Sequence, residues 1–453
     1  MESTRQRLLD LITDPDDAYN RSAADLEPLQ LRAAQALFEE RREQIPLVGR
    51  RAEDAGIDEI RSLDDLVPLL FAHTVYKSYP QSFFDQGRWD RMLRWLDTLS
   101  VDSVVDVDVE GVADVDDWLD RLWAAGHQVL ATSGTTGKCS FLNHTRGDGE
   151  RKRRHIRHTH GWPLIASSPQ WPFFWLGPMA GYSSAVEAAV INAENWARPG
   201  LVHALTDKPL RISDVSRMAA FRKRMADGTA TPEEITAIRD ESAARAVEGR
   251  DALRRLADEL LDRRHEPVWV SGMWAQHMAI IDRARERGIP DGDFHPGSVV
   301  GAGGGTKSVA LPPDYRDQVA RFYGEVLRPA SYGMTELGQQ LPRCEAGRYH
   351  RAPGLITLIL DPPAEKLLGP EQASGDGLVQ GRFAFLDLSH EGRWGGVITG
   401  DRVTVDHSER CACGRYGPTF LDDISRIAQP GEDDHIGCAG TIDSYIRGVV
   451  EDV

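Results

Sequence analysis

The chain has 453 residues, 41% of them hydrophobic and 27% charged, and a formal net charge of −17. That length exceeds one ordinary core and implies one large domain with subdomains, or two to three units. The acidic balance excludes a nucleic-acid binder, whose footprint is a basic surface, and no apolar run approaches the roughly 20 residues that span a bilayer. The opening Met1-Glu2-Ser3-Thr4-Arg5-Gln6-Arg7 lacks the apolar core of a secretion signal, so a cytoplasmic protein with no membrane partner is expected.

Residues 1–125 read mostly as helices. Apolar side chains recur at helical spacing from Leu29 to Ile45, with Pro28 placed for that helix's first turn. The run Val101-Asp102-Ser103-Val104-Val105-Asp106-Val107-Asp108 alternates as an exposed strand or an acidic linker would. Gln128-Val129-Leu130-Ala131 reads as a short buried strand that feeds Thr132-Ser133-Gly134-Thr135-Thr136-Gly137-Lys138. In that loop two glycines let the backbone approach an anion, the hydroxyls donate hydrogen bonds, and Lys138 adds a point charge. It is not a Walker loop: only Thr135 and Thr136 separate the glycines, and Cys139 follows the lysine. A polar surface turn is the alternative.

A basic helix is expected over 149–166, with Arg151-Lys152-Arg153-Arg154-His155 as its solvated start. Trp171-Pro172-Phe173-Phe174-Trp175 and Met179–Tyr182, faced by Trp269, Met273 and Trp274, form either plain core or the walls of a pocket for a compact acid. From Ile212 to Arg264 the composition suggests a helical hairpin broken near Thr229-Ala230-Thr231-Pro232. Val268–Ser271 and Ser298–Gly301 read as buried parallel strands. Beyond residue 353 the pattern turns to β, at Leu355–Leu360 and Arg382–Leu386.

Cys344 and His350 are spaced Cys-x5-His, and Cys411-Ala412-Cys413 lies in a glycine-rich turn. Together they supply the four ligands of a closed tetrahedral zinc site, although four unrelated residues would look the same. Cys438, near the C-terminus, is either a packed thiol or a nucleophile.

The hydroxyl-glycine loop, then Ser331-Tyr332-Gly333-Met334-Thr335-Glu336, then Thr399-Gly400-Asp401 resemble, in that order, the adenylate-forming (AMP-producing) acid ligases. The resemblance implies an α/β fold: layered mixed sheets with helices, a small β subdomain, and a C-terminal mobile domain absent or vestigial. Its domains would be a helical region at 1–125, a nucleotide- and substrate-binding core at 126–340, a β subdomain at 341–422, and a hinge with a short tail at 423–453. It also implies ATP and Mg2+ as cofactors. Thr132, Ser133, Gly134, Thr135, Thr136, Gly137 and Lys138 would hold the β- and γ-phosphates. Gly303, Gly304 and Gly305 would let adenine lie against backbone, with Tyr332 of the Tyr332-Gly333 pair on its other face. Thr335 and Glu336 would meet the α-phosphate and Mg2+, a hard cation that takes oxygen ligands. Asp401 would bind the ribose with Arg415 or Arg426 beside it. Lys307 would neutralise developing charge, or be a solvated turn lysine.

The phenylacetate–CoA-ligase-like branch of that family includes members with a structural Zn2+ held by such a Cys-His-Cys-Cys set. Gly437-Cys438 and Gly303-Gly304-Gly305-Thr306-Lys307 are similar to segments of the bioluminescence acyl-protein synthetases, in which the cysteine receives the acyl group. The expected reaction is adenylation of a small acid, aromatic if the pocket reading holds, and transfer to an amine, a carrier-protein or Cys438 thiol, or CoA. An oxyanion such as nitrite is the alternative substrate, a non-catalytic nucleotide-binding scaffold the alternative class, and a homodimer one assembly the chain allows.

Overall fold

The computed structural model describes residues 3–132, 138–303, 311–375 and 377–427. It is a mixed α/β protein whose chain divides into two compact units. Of the described residues, the first unit holds 3–130, 141–166, 330–375 and 377–427, and the second holds 131–132, 138–140, 167–303 and 311–329.

The first unit joins the N-terminal helices to the β-rich C-terminal part, so it cuts across the boundaries expected after residues 125, 340 and 422. The reason is strand pairing. Its sheet orders Tyr349–His350, Thr419–Phe420, Gly396–Asp406, Leu378–Asp387 and Leu355–Leu360 from edge to edge, every pair antiparallel. Phe71–Ala72 then adds to Gly396–Asp406 in parallel, matching Phe71 to Val397 and Ala72 to Ile398. Polar groups seal the same junction. Trp394 Nε1 donates to Leu69 O (3.0 Å), Tyr76 Oη to Trp394 O (3.3 Å), and buried Gln30 Nε2 to Pro353 O (2.9 Å). Leu26, Leu37, Phe38, Leu355, Ile356, Phe383 and Phe385 share one core.

Two local expectations shift. The helix expected from Leu29 runs Ala23–Gln44, because Ser22 caps it and accepts from Asp25 N, which places Pro28 inside rather than in the first turn. Residues 101–108 form turns and no strand. Asp97 Oδ1 captures Val104 N there, and Val101 N goes to Gly392 O, so the linker alternative is the one that applies.

The second unit is built on a four-stranded parallel sheet in the order Ala197–Thr206, Trp171–Pro178, Trp269–Met273, Val299–Gly303. Val268, Val270, Leu176 and Val300 are almost wholly buried and pack with helix Trp274–Glu286. The expected hairpin is present as helices Ile212–Ala226 and Pro232–Asp262, the second opened by a Thr231/Glu234 capping box with Pro232 at its first position. Among the described residues no helix is long and apolar enough to cross a membrane.

Both units carry neutral core histidines. Burial lowers the pKa of His155 and of His277 to about 4. The unfolded chain therefore binds protons first as pH falls from about 6.5 towards 4. Stability is full above that window and drains within it, at roughly 1.4 kcal/mol per pH unit for each histidine so buried. Calorimetry should show a melting temperature that falls between about pH 7 and pH 5; a flat profile would contradict the neutral assignment.

Candidate functional site

Tyr332, Glu336, Asp401 and Arg426 come together in the first unit. Thr399-Gly400-Asp401 lies inside the eleven-residue strand Gly396–Asp406. Thr399 is buried and its hydroxyl donates to Phe383 O (2.7 Å) while accepting from Asp401 N (3.0 Å), which holds the strand in place. Asp401 is the register partner of Arg426, whose own strand Ser425–Arg426 pairs antiparallel to it. Across that ladder Arg426 Nε stands 3.3 Å from Asp401 Oδ1, and Tyr332 Oη donates to Asp401 Oδ2 at 2.6 Å.

Gly400 lies under the flexible end of Arg426, which a larger residue would push aside. A Cβ there would meet Arg426 Nη1 at 2.3 Å and His73 Cε1 at 3.4 Å. His73, reached through the parallel Phe71–Ala72 pairing, is held neutral: burial first, then the charge of Arg426, lowers its pKa to about 4. Nothing in the sequence singled this histidine out.

Burial raises the pKa of the Glu336 carboxyl, and Arg393 and Arg426 only partly oppose the shift. Its backbone carbonyl accepts from Arg393 Nη2 at 2.7 Å. Thr335 is buried and Gly333 exposed. Tyr332 has its phenol pKa raised, first by burial and then by Asp401.

The sulfur and imidazole set also assembles. Cys344, His350, Cys411 and Cys413 each offer a ligand atom within 4.8 Å of the other three. Cys344 Sγ lies 3.9 Å from Cys411 Sγ, and Cys413 Sγ 3.5 Å from His350 Nε2. Both spacings are close to the edges of a tetrahedron around zinc with bonds of about 2.3 and 2.1 Å, and far from a disulfide. The Cys411–Cys413 turn closes at Gly414, whose φ of +90° suits glycine. Burial pushes the Cys411 thiol up to about 12 and lowers the His350 pKa to about 4. A cation that prefers thiolate and neutral imidazole would relieve the first and use the second. The residues fit Zn2+.

Arg415 belongs to this cluster and not to Asp401. Its Nη1 donates to Glu345 (2.9 Å), and its guanidinium lies 4.5 Å from the centre of the Trp162 ring. Of the two arginines expected beside the ribose carboxylate, Arg426 alone reaches it.

In the second unit, Ala131 N donates to Tyr182 O (2.7 Å), and Thr132 Oγ1 accepts from Ser140 N at 3.3 Å. Lys138 is half-buried. Ser133, Gly134, Thr135, Thr136, Gly137, Gly304, Gly305, Lys307 and Cys438 lie outside the described residues. Gly303 ends its strand exposed, and a Cβ there would meet nothing within 4 Å, so packing does not demand a glycine.

Two further readings change. Trp171, Phe173, Phe174 and Trp269 are core, not pocket wall: Trp171 and Trp269 meet edge-on at 5.6 Å, and their ring N–H groups are spent on Gly297 O and Ser271 Oγ. The start of the basic helix is not solvated. Arg151 donates to Ser389 O (2.7 Å) and pairs with Asp148 and Glu391, while Lys152 and His155 are buried.

No protein-family model and no curated protein matches the chain. Among solved structures it is similar to ATP-bound MatB from Rhodopseudomonas palustris, at 16% identity and a TM-score of 0.34 over 64% of this chain and 47% of that one. It is also similar to two ATP-bound RpMatB–BxBclM chimeras, each at 15% identity and a TM-score of 0.36 over 64% of this chain and 47% and 46% of theirs. The likeness is remote, and it spans less than half the length of those chains.

Proposed function

We propose that this chain is a Mg-ATP-dependent, AMP-forming ligase that adenylates a small acid and passes it to an amine, a protein thiol or CoA. The observation that carries the reading is the Tyr332–Asp401–Arg426 corner. Two segments far apart in sequence, each resembling a motif of the adenylate-forming ligases, meet there through the Asp401 carboxyl group. In this reading Asp401 accepts the two ribose hydroxyls, with the Tyr332 hydroxyl giving up its contact and Arg426 holding the side chain in orientation. Lys138 and the Thr132–Gly137 loop hold the β- and γ-phosphates. Mg2+ would supply charge neutralisation at the phosphates, and the half-buried Glu336 carboxyl, costly to ionise alone, is suited to gain such a cation.

The acid's oxygen attacks the α-phosphorus in line, forming the acyl–O–P bond as the bond to pyrophosphate breaks. Little covalent work falls to the protein, so positioning and charge carry the rate. The direct test is pyrophosphate release with Mg-ATP across aryl acids, fatty acids, amino acids and nitrite, with and without CoA or amines. A signal dependent on one acid class is expected; silence across the panel beside tight ATP binding would replace this reading with a nucleotide-binding scaffold.

The two arginines give a sharper comparison. Arg426→Ala should weaken ATP binding by roughly tenfold to a hundredfold, the value of a hydrogen bond to a charged group. Arg415→Ala should leave it unchanged. Calorimetric titration of both variants with ATP decides, and an equal effect would remove Arg426 from the ribose corner.

A further inference from the structure

A second cluster of metal-ligating side chains lies in the first unit, apart from the cysteines. His144 precedes helix Arg146–Thr159, Asp148 is the third residue of that helix, and His390 follows strand Leu378–Asp387. They are 4%, 4% and 1% exposed, and one ligand atom from each lies within 4.8 Å of the other two. The imidazole rings stand edge to face with centroids 5.4 Å apart.

Two nitrogens in this cluster have no hydrogen-bond partner although both are buried: His144 Nε2 and His390 Nδ1. Lone unpartnered imidazole nitrogens occur elsewhere, His155 Nδ1 among them. Only here, among the described residues, do two histidines with such a nitrogen cluster with a carboxylate at metal-ligand spacing, and the cysteine set is the one other group so spaced.

The opposite nitrogen of His390 suggests which atom is free. Nε2 lies 3.0 Å from Glu336 O, and a proton donated to that carbonyl leaves Nδ1 as a lone pair, the usual arrangement behind a metal-bound histidine. The other tautomer, with Nε2 accepting from Arg393 Nη2 at 2.8 Å, would bury an unpaired N–H at Nδ1, whereas the first requires Arg393 Nη2, a donor only, to spend its hydrogen on Glu336 O at 2.7 Å.

Asp148 stays ionised, held by Thr145 N and Gly392 N on Oδ2 and by Glu391 N on Oδ1. Its remaining contact, Arg151 Nη2 at 3.1 Å on Oδ1, is the replaceable one, since Arg151 also reaches Glu391 and Ser389 O. Arg393 and buried Lys152 are the cations that work against a metal here; Asp148 offsets them at both histidines, and Asp387 at His390.

We propose that His144 Nε2, His390 Nδ1 and a carboxylate oxygen of Asp148 hold a divalent first-row transition metal, at a site separate from Cys344, His350, Cys411 and Cys413. Two imidazoles and one carboxylate suit Zn2+ or Co2+, with thiolate absent. The ion would clamp the start of helix Arg146–Thr159 to the 390–393 loop, and through His390 to the backbone of Glu336. Its role is structural, and the proposal stands whether or not the chain is a ligase.

The test is metal content. The untagged full chain, reconstituted with Co2+ and freed of excess, is assayed by elemental analysis and visible absorption. Wild type should bind one equivalent more than the cysteine set accounts for. Cys411→Ser/Cys413→Ser should keep that equivalent and lose the near-ultraviolet thiolate-to-cobalt band. His144→Asn should lose the equivalent and keep the band. If His144→Asn fails to fold, wild-type stoichiometry decides: a single equivalent whose whole spectrum is thiolate-bound overturns the proposal. Full metal retention by folded His144→Asn overturns it as well, and leaves the pair as packed neutral imidazoles.

Discussion

Lys138→Ala is expected to lower kcat/KM for pyrophosphate release by roughly a hundredfold to a thousandfold, the loss seen when one charge-stabilising group is removed from a transition state. The fold should stay intact, because Lys138 is half-buried and lies in neither apolar core. The mechanism is electrostatic. On the proposed function, the Lys138 ammonium would stand beside the departing pyrophosphate and offset charge that grows as the bond to the α-phosphorus breaks, and alanine would leave that charge to water. Lys138→Arg should restore little, since a planar guanidinium does not occupy the place of a compact point charge. Unchanged turnover in Lys138→Ala would detach the 132–138 loop from the phosphates and return it to the class of polar surface turns.

Cys411→Ser should act on stability and not on chemistry. If the four ligands hold Zn2+, replacing one thiolate by a hydroxyl should remove about one equivalent of metal. It should also cost about 4 kcal/mol or more, since structural zinc binding is itself folding free energy. The same loss should follow from a strong chelator in wild type, with the melting temperature recovering on zinc addition. Elemental analysis paired with calorimetry reads both quantities. An unchanged zinc content in Cys411→Ser would mean that the sulfurs merely pack, and a fallen melting temperature with full metal would mean the same.

The regular parts of the fold were legible because their periods are strong. Ile212 to Arg264 announced a hairpin through composition and Thr231-Pro232, and the apolar runs at 268–271, 298–301 and 355–360 announced strands. Helix Ala23–Gln44 was legible in its body but not at its start, since the Ser22 cap carries no apolar signal. Glycine usually marks a turn, yet Gly400 sits within a strand, beside the Arg426 guanidinium across the ladder.

The Cys/His set was visible because those residue types are scarce and closely spaced. His73, His144 and His390 were not, because a lone histidine announces nothing until a parallel strand pair or a helix start brings it to its neighbours. The choice between Arg415 and Arg426 likewise required knowing which arginine sat over Trp162. Aromatic density between residues 171 and 175 favoured a core over a pocket, and the spent ring N–H groups agree with the core.

Because Phe71–Ala72 pairs with Val397–Ile398, the strand that carries Asp401 is completed by a segment made some three hundred residues earlier on the ribosome. The parallel sheet of the second unit, all between 171 and 303, is available in full before that partner emerges. Vectorial synthesis therefore favours an order: the inserted unit can close on its own, while the apolar faces of the N-terminal helices wait. The chain's soluble yield should therefore respond to translation speed between residues 330 and 400 more than to codon choice upstream.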